Sequence, residues 1–583
     1  MSAFEGISAV LALLALAARD AGRQHRLLHL FQLEHYEPAR LMLWLRRRGE
    51  LFAPRELVVA LLLSAAVIAA SSSSSSSASA SGWLCGALLL LLVPFAALGV
   101  ADWRREAVKP LVFTGRAKRL LAGALAPSVL LTLAAIALAL AGLATAGLLV
   151  LLSLALLLLA GAPWTLLGAN LLLRPLQGAI NRRYVERARR TLRQSAPLVV
   201  GITGSYGKTT TKFCVGAVLE DDRPTLVTPE SFNSFLGVIR TINEHLLSTH
   251  RAFVVEMGMF RRGDIAELCE LVRPTIGLVT AIGPMHLERL GSIEAIAAAK
   301  GELLDALPPS GHFLTNAHDR LCLELAARAT VPVTLFGISD STGKVAAAPP
   351  SAGTPQGTPH PSQKRKAQVQ VLASDIRLAD GRTTFKLQLD GPDSAHVEVS
   401  AGLLGRHNVL NLLAAAAVGR VLDISPARIA AALSRVEAPA HRLQPIHNAR
   451  SGVVVIDDAY NSNPQGAGSA LEVLREHPAT RRLLVTPGMV ELGELEADLN
   501  RRFGEHAAQV CDLVILVGSA RTIPIADGLA SAGMSSECVH VVRDIGQATS
   551  LLARITRPGD VILFENDLPD TYAEPDGLAS ASA

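Results

Sequence analysis

Residues 204–211 read Gly-Ser-Tyr-Gly-Lys-Thr-Thr-Thr and directly follow an apolar run over residues 197–202. This order predicts a buried strand that ends in a tight turn and is followed by a helix. Glycines allow the backbone N–H groups of such a turn to converge on phosphate oxygens, and the helix adds its positive end. Ile202 stands where the common phosphate-loop pattern has its first glycine, so the turn has the shorter form G-[ST]-x-G-K-[ST]. The stretch favours an α/β fold that binds a nucleotide.

The side chains of this loop predict how the nucleotide is held. Lys208 can reach the β- and γ-phosphates, and the Thr209 hydroxyl can bind Mg²⁺. The other predicted nucleotide contacts of the loop are Gly204, Ser205, Tyr206, Gly207 and Thr210. The alternative is an ordinary glycine-rich turn between a strand and a helix, and the Lys-Thr pair argues against it.

Charged residues are nearly absent from long parts of the first 173 positions, which is typical of membrane segments. Residues 57–70, 83–101 and 120–173 predict about four transmembrane helices. As one helix, residues 120–173 would be about 80 Å long, so this segment is expected to fold back once near residues 142–147. Residues 7–18 could form a fifth span or an interfacial helix, and the sequence slightly favours the latter.

Arginines and lysines follow the predicted spans at residues 104–119 and 174–193, whereas the other predicted loops carry none. By the positive-inside rule, this asymmetry predicts a multi-pass membrane protein whose phosphate loop and following domains lie in the cytoplasm; in a bacterium this would be the inner (cytoplasmic) membrane. The net charge of +4 is small for 583 residues, so nucleic acid is not an expected partner. Anionic membrane lipid explains the basic segments better. The six cysteines form no C-x-x-C pair, which argues against a disulfide framework or a zinc site.

From residue 197 onward, short apolar runs alternate with helical patterns, which predicts parallel sheets covered by helices. Residues 340–367 are rich in Pro, Gly, Ser and Thr and predict a mobile surface insertion. After it, residues 367–399 alternate in the manner of hairpin strands.

Four clusters after the phosphate loop contain residue types suited to chemistry. Glu256 ends an apolar run, where a nucleotide-binding fold commonly places a metal-binding acid, although a solvated glutamate is the alternative. His286 lies in Gly-Pro-Met-His-Leu, and Lys300 follows one helix later; taken alone, such a histidine is more often an ordinary loop residue and such a lysine more often a solvated surface residue. Asn408 and Asn411 open an alanine-rich helix, either as contacts to a base or ribose or, for Asn408, as a helix cap.

The fourth cluster is the acidic, amide-rich turn Asp-Asp-Ala-Tyr-Asn-Ser-Asn-Pro at residues 457–464. In isolation it would be a structural turn, because Asp, Asn and Pro are common turn residues. Taken together and in this order, the phosphate loop and the four clusters resemble the motifs of the Mur ligase family. The likeness covers about residues 196–570 and is greatest to the branch that adds a D-alanyl-D-alanine dipeptide.

The resemblance implies ATP-dependent, ADP-forming amide-bond synthesis through an acyl phosphate. It implies two Mg²⁺ ions, with Thr209, Glu256, His286 and Lys300 as metal ligands and Lys300 carbamylated. Lys208, Lys300, His286 and Arg442 would be the catalytic residues. The expected nucleotide contacts outside the phosphate loop are Asn408, Asn411, Asp457, Tyr460 and Asn461. The expected partners are a carboxylate-bearing cell-wall or envelope precursor and an amino acid or dipeptide amine.

The resemblance also implies a domain order. Residues 1–194 would be the membrane region, 195–438 a P-loop ATPase-type central domain, and 439–583 a Rossmann-like C-terminal domain. A hinge is expected near residues 437–441. The family's usual first domain, which binds the acceptor, has no counterpart here, and Ser462 replaces the alanine of the family's Asn-Ala-Asn-Pro. These departures leave the acceptor and the amine open.

Three other functions remain open from the sequence. A poly-γ-glutamate or capsule-type polymer synthase would use the same acyl-phosphate chemistry. An ATP-driven transporter is a remote alternative, because the chain has no Leu-Ser-Gly-Gly-Gln signature and its predicted spans carry no charged residue. A catalytically silent scaffold is disfavoured, because Lys208, Glu256, His286 and Lys300 are all present.

Overall fold

The computed structural model describes residues 3–34, 36–47, 49–51, 96–103, 110–141, 145–230, 232–285, 287–339, 369–379, 381–389, 395–448, 450–460, 462–490 and 492–567. The predicted insertion at 340–367 and the candidate residues His286 and Asn461 therefore lie outside the described residues. The chain divides into two compact units, whose boundary in the sequence lies between Arg182 and Arg183.

The first unit is helical in its described part. Its named helices are α1 (Ala3–Leu33), α2 (Pro38–Arg47), α3 (Gly115–Leu140), α4 (Thr145–Ala160) and α5 (Ala162–Ser195), the last of which continues into the second unit. Phe31, Leu41, Leu120 and Leu166 belong to one buried apolar cluster of this unit. A polar contact also lies inside it, because the Ser128 hydroxyl donates a 2.6 Å hydrogen bond to the Asp20 carboxylate.

The prediction of a multi-pass inner-membrane protein is wrong. Among the described residues, only Gly115–Leu138 forms a single helix long and apolar enough to cross a membrane. A second candidate exists only if Ser153–Ala160 and Ala162–Ser195 are counted as one span, and these helices are bent by 78° at their break. The long apolar run is divided twice: α3 ends at Leu140 and α4 begins at Thr145, next to the predicted fold-back, and a second break lies near Gly161, where none is predicted. Residues 57–70 and most of 83–101 lie outside the described residues, and the predicted lipid partner stays a prediction.

The second unit begins with a nine-stranded sheet in the order β2-β3-β1-β4-β5-β6-β7-β8-β9. Its strands are β1 (Leu198–Thr203), β2 (Thr225–Val227), β3 (Ala252–Glu256), β4 (Ile276–Val279), β5 (His312–Asn316), β6 (Val333–Ile338), β7 (Val369–Ala379), β8 (Arg382–Leu389) and β9 (Ala395–Ala401). Strands β2 to β7 pair in parallel, whereas β7, β8 and β9 pair antiparallel, as the alternating pattern after residue 367 predicts.

Helices cover both faces of the parallel part. They are α6 (Lys208–Glu220), α7 (Phe235–His245), α8 (Asp264–Val272), α9 (Leu287–Leu290), α10 (Ile293–Asp305), α11 (Arg320–Arg328), α12 (Arg406–Val421) and α13 (Pro426–Ser434). In β1, Val200 and Ile202 belong to the apolar cluster shared with α6 and α12, whereas Val199 belongs to the cluster on the other face. This explains the continuous apolar run, because a parallel strand with both faces covered has no polar side.

A second, six-stranded sheet follows in the order β10-β11-β15-β12-β13-β14. Its strands are β10 (Gln444–Asn448), β11 (Val453–Asp458), β12 (Arg481–Thr486), β13 (Leu513–Val517), β14 (Val539–Val542) and β15 (Asp560–Glu565), and its helices are α14 (Pro464–Glu476), α15 (Glu496–Ala508), α16 (Ile523–Ser531) and α17 (Ile545–Ile555). All of these strand pairs are parallel except β10 with β11. The predicted α/β architecture with parallel sheets is confirmed.

Candidate active site

The phosphate-loop turn joins β1 to α6 and depends on its glycines. Gly204 and Gly207 have φ values of 154° and 75°, a region that favours glycine. A β-carbon at Gly204 would clash with the Thr280 side chain, and one at Gly207 with the Asn411 side chain. The turn therefore keeps its backbone open at the N-terminal end of α6, where N–H groups are free to bind an anion.

The side chains of Lys208 and Thr209, which the sequence predicts to bind the phosphates and Mg²⁺, have different neighbours. The Lys208 ammonium folds back and donates a 2.8 Å hydrogen bond to the Gly204 carbonyl. The Thr209 hydroxyl donates a 3.0 Å hydrogen bond to Oε2 of Glu256, at the end of β3. Because β1 and β3 pair in parallel, the carboxyl end of β3 lies beside the phosphate loop.

Glu256 is held by more groups than the sequence predicts. The Asn233 amide donates to its Oε1 at 2.9 Å, and the Lys212 ammonium lies 2.9 Å from its Oε2. Glu256 is 1% exposed, so burial raises the pKa of its carboxyl, but the positive charges of Lys212 and Lys208 outweigh this effect and the net pKa is lowered. Glu256 is therefore an ionised, fully buried carboxylate, and the solvated alternative is wrong.

Lys300 lies on α10 and is 3% exposed. Burial lowers the pKa of its ammonium well below the ordinary value, and the positive charge of Lys208 lowers it further. Burial therefore disfavours the protonated form of this amine relative to that of an exposed lysine. Glu302, two residues further along α10, instead accepts hydrogen bonds from the backbone N–H groups of Gly263 and Ala266 at the start of α8.

The two asparagines of α12 form a hydrogen-bonded chain to the phosphate-loop helix. Asn411 accepts a 3.0 Å hydrogen bond from the Thr211 hydroxyl and donates to the Asn408 side chain at 2.8 Å. Asn408 in turn donates to the Leu404 carbonyl. The helix begins at Arg406 with Gly405 at its N-cap position, so the interpretation of Asn408 as the helix cap is wrong.

The residues of the acidic turn at the end of β11 make different contacts. Asp457 accepts a 2.7 Å hydrogen bond from the His441 ring, whereas the guanidinium of Arg442 lies 4.2 Å from the centre of the Tyr460 ring. Asp458 is paired in register with Glu565 at the end of β15. Desolvation raises the pKa of Asp458 to about 6, and desolvation together with the nearby charge of Asp458 raises the pKa of Glu565 well above its ordinary value.

One cavity brings residues of both sheets together. From the predicted set, it is lined by Tyr206, Gly207, Thr210, Asn408, Asn411 and Arg442. Asp458, Asn463 and Glu565 line it from the second sheet, and Asn316 and His407 line it from the first. Burial lowers the pKa of His407 to about 4, so its imidazole is neutral at pH 7. Asp457 and Tyr460 do not line this cavity, although Tyr460 supports Arg442, which does.

Several residues of this region were not predicted. Lys212 could have been found from its spacing, because it follows Lys208 by one helical turn and shares its helix face. Asn233 and Glu565 carry no comparable signal, since each reaches the site from a distant segment. Ser462, which differs from the family pattern, donates a 2.6 Å hydrogen bond to Glu565.

Comparisons with known proteins agree with this geometry. The sequence profile of the Mur ligase middle domain matches residues 202–419, and that of the Mur ligase glutamate ligase domain matches residues 441–565. The chain is 34% identical over 388 residues to the UDP-N-acetylmuramoyl-tripeptide–D-alanyl-D-alanine ligase of Mycobacterium tuberculosis (strain ATCC 25618 / H37Rv), covering 63% of this chain and 70% of that protein. It is 33% identical over 341 residues to the enzyme of the same name from Escherichia coli (strain K12), covering 58% of this chain and 69% of that protein.

Solved structures share the fold. MurF from Acinetobacter baumannii superposes with a TM-score of 0.55 at 24% identity, covering 67% of this chain and 78% of that chain. MurF ligase from Thermotoga maritima in complex with ADP gives a TM-score of 0.54 at 24% identity, covering 66% of this chain and 80% of that chain.

Proposed function

The chain belongs to the Mur ligase family and is an ATP-dependent, ADP-forming peptide ligase, and we propose that it acts in peptidoglycan synthesis by joining an amine to the terminal carboxylate of a cell-wall precursor. The names of its relatives suggest the substrates, a UDP-N-acetylmuramoyl tripeptide and D-alanyl-D-alanine. The proposed reaction has two steps. A carboxylate oxygen attacks the γ-phosphorus and ADP leaves; the amine nitrogen then attacks the acyl carbon, loses a proton and displaces phosphate.

The cavity shared by the two sheets is the observation that carries the proposal. Gly207 and Thr210 of the phosphate loop line it together with Arg442 and Asp458 of the second sheet. A ligase that activates an acid must hold the triphosphate and both reacting groups together, because positioning supplies much of its rate. Groups from two domains around one cavity suit this need, and the predicted hinge near residues 437–441 would allow them to close on the substrates.

Two cationic side chains are proposed to stabilise the transferring phosphoryl group. Lys208 lies in the phosphate loop, and Arg442 lines the cavity opposite that loop. The approach of an anionic carboxylate to a polyanion requires such charge neutralisation. Asn408 and Asn411 are proposed to contact the adenosine part of the nucleotide, while Asp457 and Tyr460 hold His441 and Arg442 in place.

Family members use Mg²⁺, and the residues present fit one such ion beside the phosphate loop. Thr209 and Glu256 offer oxygen atoms 3.0 Å apart, the donor type that Mg²⁺ prefers. The described residues contain no group of three His, Cys, Asp or Glu side chains that could hold a metal ion, so nucleotide phosphates would have to supply other ligands. When bound, the ion would neutralise charge on the phosphates.

A second Mg²⁺ is proposed to bind through carbamylated Lys300, with His286 as a further ligand. The support is the environment of Lys300: its amine is buried, its pKa is lowered, and the neutral form that burial favours is the form that reacts with CO₂ to give a carbamate. The product would add two carboxylate-like oxygens close to Lys208, whose charge acts on the Lys300 amine.

The test is ADP release by the full chain with the tripeptide precursor and D-alanyl-D-alanine. We expect Lys208→Ala and Glu256→Ala each to reduce ADP formation by more than roughly a hundredfold, since each removes charge that acts on the transferring group. Lys386→Ala is the matched control, because Lys386 on β8 forms an exposed ion pair with Asp375 on β7. Unchanged activity in either site variant would contradict the assigned roles.

The amine screen separates the remaining alternatives. D-alanyl-D-alanine, single amino acids and glutamate are offered in turn with the same precursor. Glutamate-dependent ADP release that continues through many additions would identify a polymer synthase instead. ATP cleavage that requires no amine would contradict the ligase proposal.

A further inference from the structure

Lys212 is a fully buried lysine that the proposed reaction does not use. It lies in the second turn of α6 with an exposed side-chain fraction of 0%. Its ammonium donates to the Glu230 backbone carbonyl and lies 2.9 Å from Oε2 of Glu256. A charged group in such a place is costly unless it is paired and hydrogen-bonded, so this contact is part of how the site is built.

The carboxylate of Glu256 has partners on both oxygens. Oε1 accepts from the Asn233 amide at 2.9 Å, and Oε2 accepts from the Thr209 hydroxyl at 3.0 Å and from Lys212. A divalent ion that bound Oε2 would therefore have to approach an ammonium already in contact with the same oxygen. The repulsion is strong, because little water is present to screen it.

The geometry assigns Lys212 as a positioning residue: we propose that it is the built-in counter-cation of Glu256, and that it keeps divalent metal from this carboxylate until a nucleotide supplies phosphate oxygens. Mg²⁺ needs about six oxygen ligands. One carboxylate shared with an ammonium provides too few of them, and the triphosphate adds both ligands and negative charge. The inference rests on the proposed metal role of Glu256.

Direct measurement of Mn²⁺ binding by electron paramagnetic resonance tests this on the full chain, with and without a non-hydrolysable ATP analogue. In the wild type, the site that is lost in Glu256→Gln should bind Mn²⁺ at least roughly tenfold more tightly with the analogue than without it. Lys212→Gln keeps a donor for the Glu230 carbonyl but removes the charge. We expect it to bind Mn²⁺ roughly tenfold more tightly than the wild type in the absence of nucleotide.

Three controls make the result specific. The gain in Lys212→Gln should disappear in the double variant Lys212→Gln/Glu256→Gln, which locates it at Glu256. Lys212→Arg keeps the charge and should behave as the wild type. Lys386→Gln neutralises an exposed ion-paired lysine and should change nothing.

Each outcome decides one question. Tight, Glu256-dependent Mn²⁺ binding by the wild type without nucleotide overturns the inference, even if Lys212→Gln fails to fold. A folded Lys212→Gln variant, checked by circular dichroism, that shows no gain in affinity overturns it as well. If Glu256→Gln binds Mn²⁺ with the analogue as the wild type does, the proposed metal role of Glu256 fails, and the inference fails with it.

Discussion

At the scale of single residues, the site brings two carboxyl groups close together, one half-buried and one fully buried. Asp458 and Glu565 end two neighbouring strands, and the Ser462 hydroxyl holds one oxygen of Glu565. Burial raises the pKa of Asp458 to about 6 from an ordinary value of 3.8. Between pH 3.8 and about pH 6, the Asp458 carboxyl is therefore ionised in the unfolded chain but protonated in the folded chain.

This difference predicts a pH dependence of stability. The contribution of Asp458 to the free energy of unfolding is complete below about pH 4 and is lost as the pH rises through about 6. Asp458→Asn removes the ionisation, so its stability should fall less between pH 4 and pH 7 than that of the wild type. Urea unfolding at both pH values measures this. Asp423→Asn is the control, since that side chain is 91% exposed, and equal losses in the wild type and Asp458→Asn would contradict the prediction.

The second prediction for a single residue concerns Lys300. If its buried amine is carbamylated, Lys300→Ala should lose ADP formation and recover part of it with added short carboxylates, which replace the oxygens of the carbamate. Lys208→Ala should show no recovery under the same conditions, because the missing group there is a positive charge. An absence of rescue in Lys300→Ala would count against carbamylation.

At the scale of elements, α12 is the helix that joins the candidate nucleotide contacts to the core. Ala414, Ala415, Ala416 and Ala417 on this helix are all 0% exposed, and Gly419 lies against Val218 of α6. Small side chains let α12 approach α6 closely enough for Asn411 to reach Thr211. The alanine-rich composition is thus a packing requirement of the site.

Ala415→Leu should therefore reduce the free energy of unfolding by about 1–3 kcal/mol, because extra methyl groups overpack a close helix contact. Ala431→Leu places the same change on an exposed position of α13 and should stay within about 0.5 kcal/mol of the wild type. Thermal or urea unfolding compares the two. Equal stability of both variants would show that the contact between α12 and α6 tolerates larger side chains.

The elements also show how far the sequence could predict the site. The phosphate loop and Glu256 follow from local order, because a strand, a glycine turn and a helix are encoded in consecutive residues. The contact between Thr211 and Asn411 joins residues 200 positions apart, and that between Ser462 and Glu565 joins residues 103 apart. No local pattern encodes such pairs, so the sequence does not indicate Asn233 or Glu565, whereas the spacing of Lys212 from Lys208 is a local signal.

At the scale of the whole molecule, the sequence-based errors have a physical cause. Apolar length suggests membrane spans, but it does not show where a helix ends. The break near Gly161 divides the long apolar run, and one helix, or two if the bent pair is counted, remains long enough to cross a membrane among the described residues. The parallel sheets, by contrast, were predicted well, because strands buried on both faces leave continuous apolar runs.

The domain order remains a prediction, and so does the hinge near residues 437–441. His441 and Leu443 have φ values of 59° and 50°, a conformation that few non-glycine residues adopt. Both lie where the first sheet's domain leads into the second, so a conformational change there would move Arg442 relative to the phosphate loop. The cavity that both sheets line is the place where such a movement would act.

We propose that one cavity couples ATP cleavage to amide-bond formation. The most direct test is a stoichiometry measurement on the full chain supplied with ATP, Mg²⁺, the UDP-linked tripeptide and D-alanyl-D-alanine. We expect one ADP and one phosphate for each new amide bond, and no product when the precursor or the amine is left out. Formation of AMP, or ADP release that continues at the same rate without precursor, would contradict it.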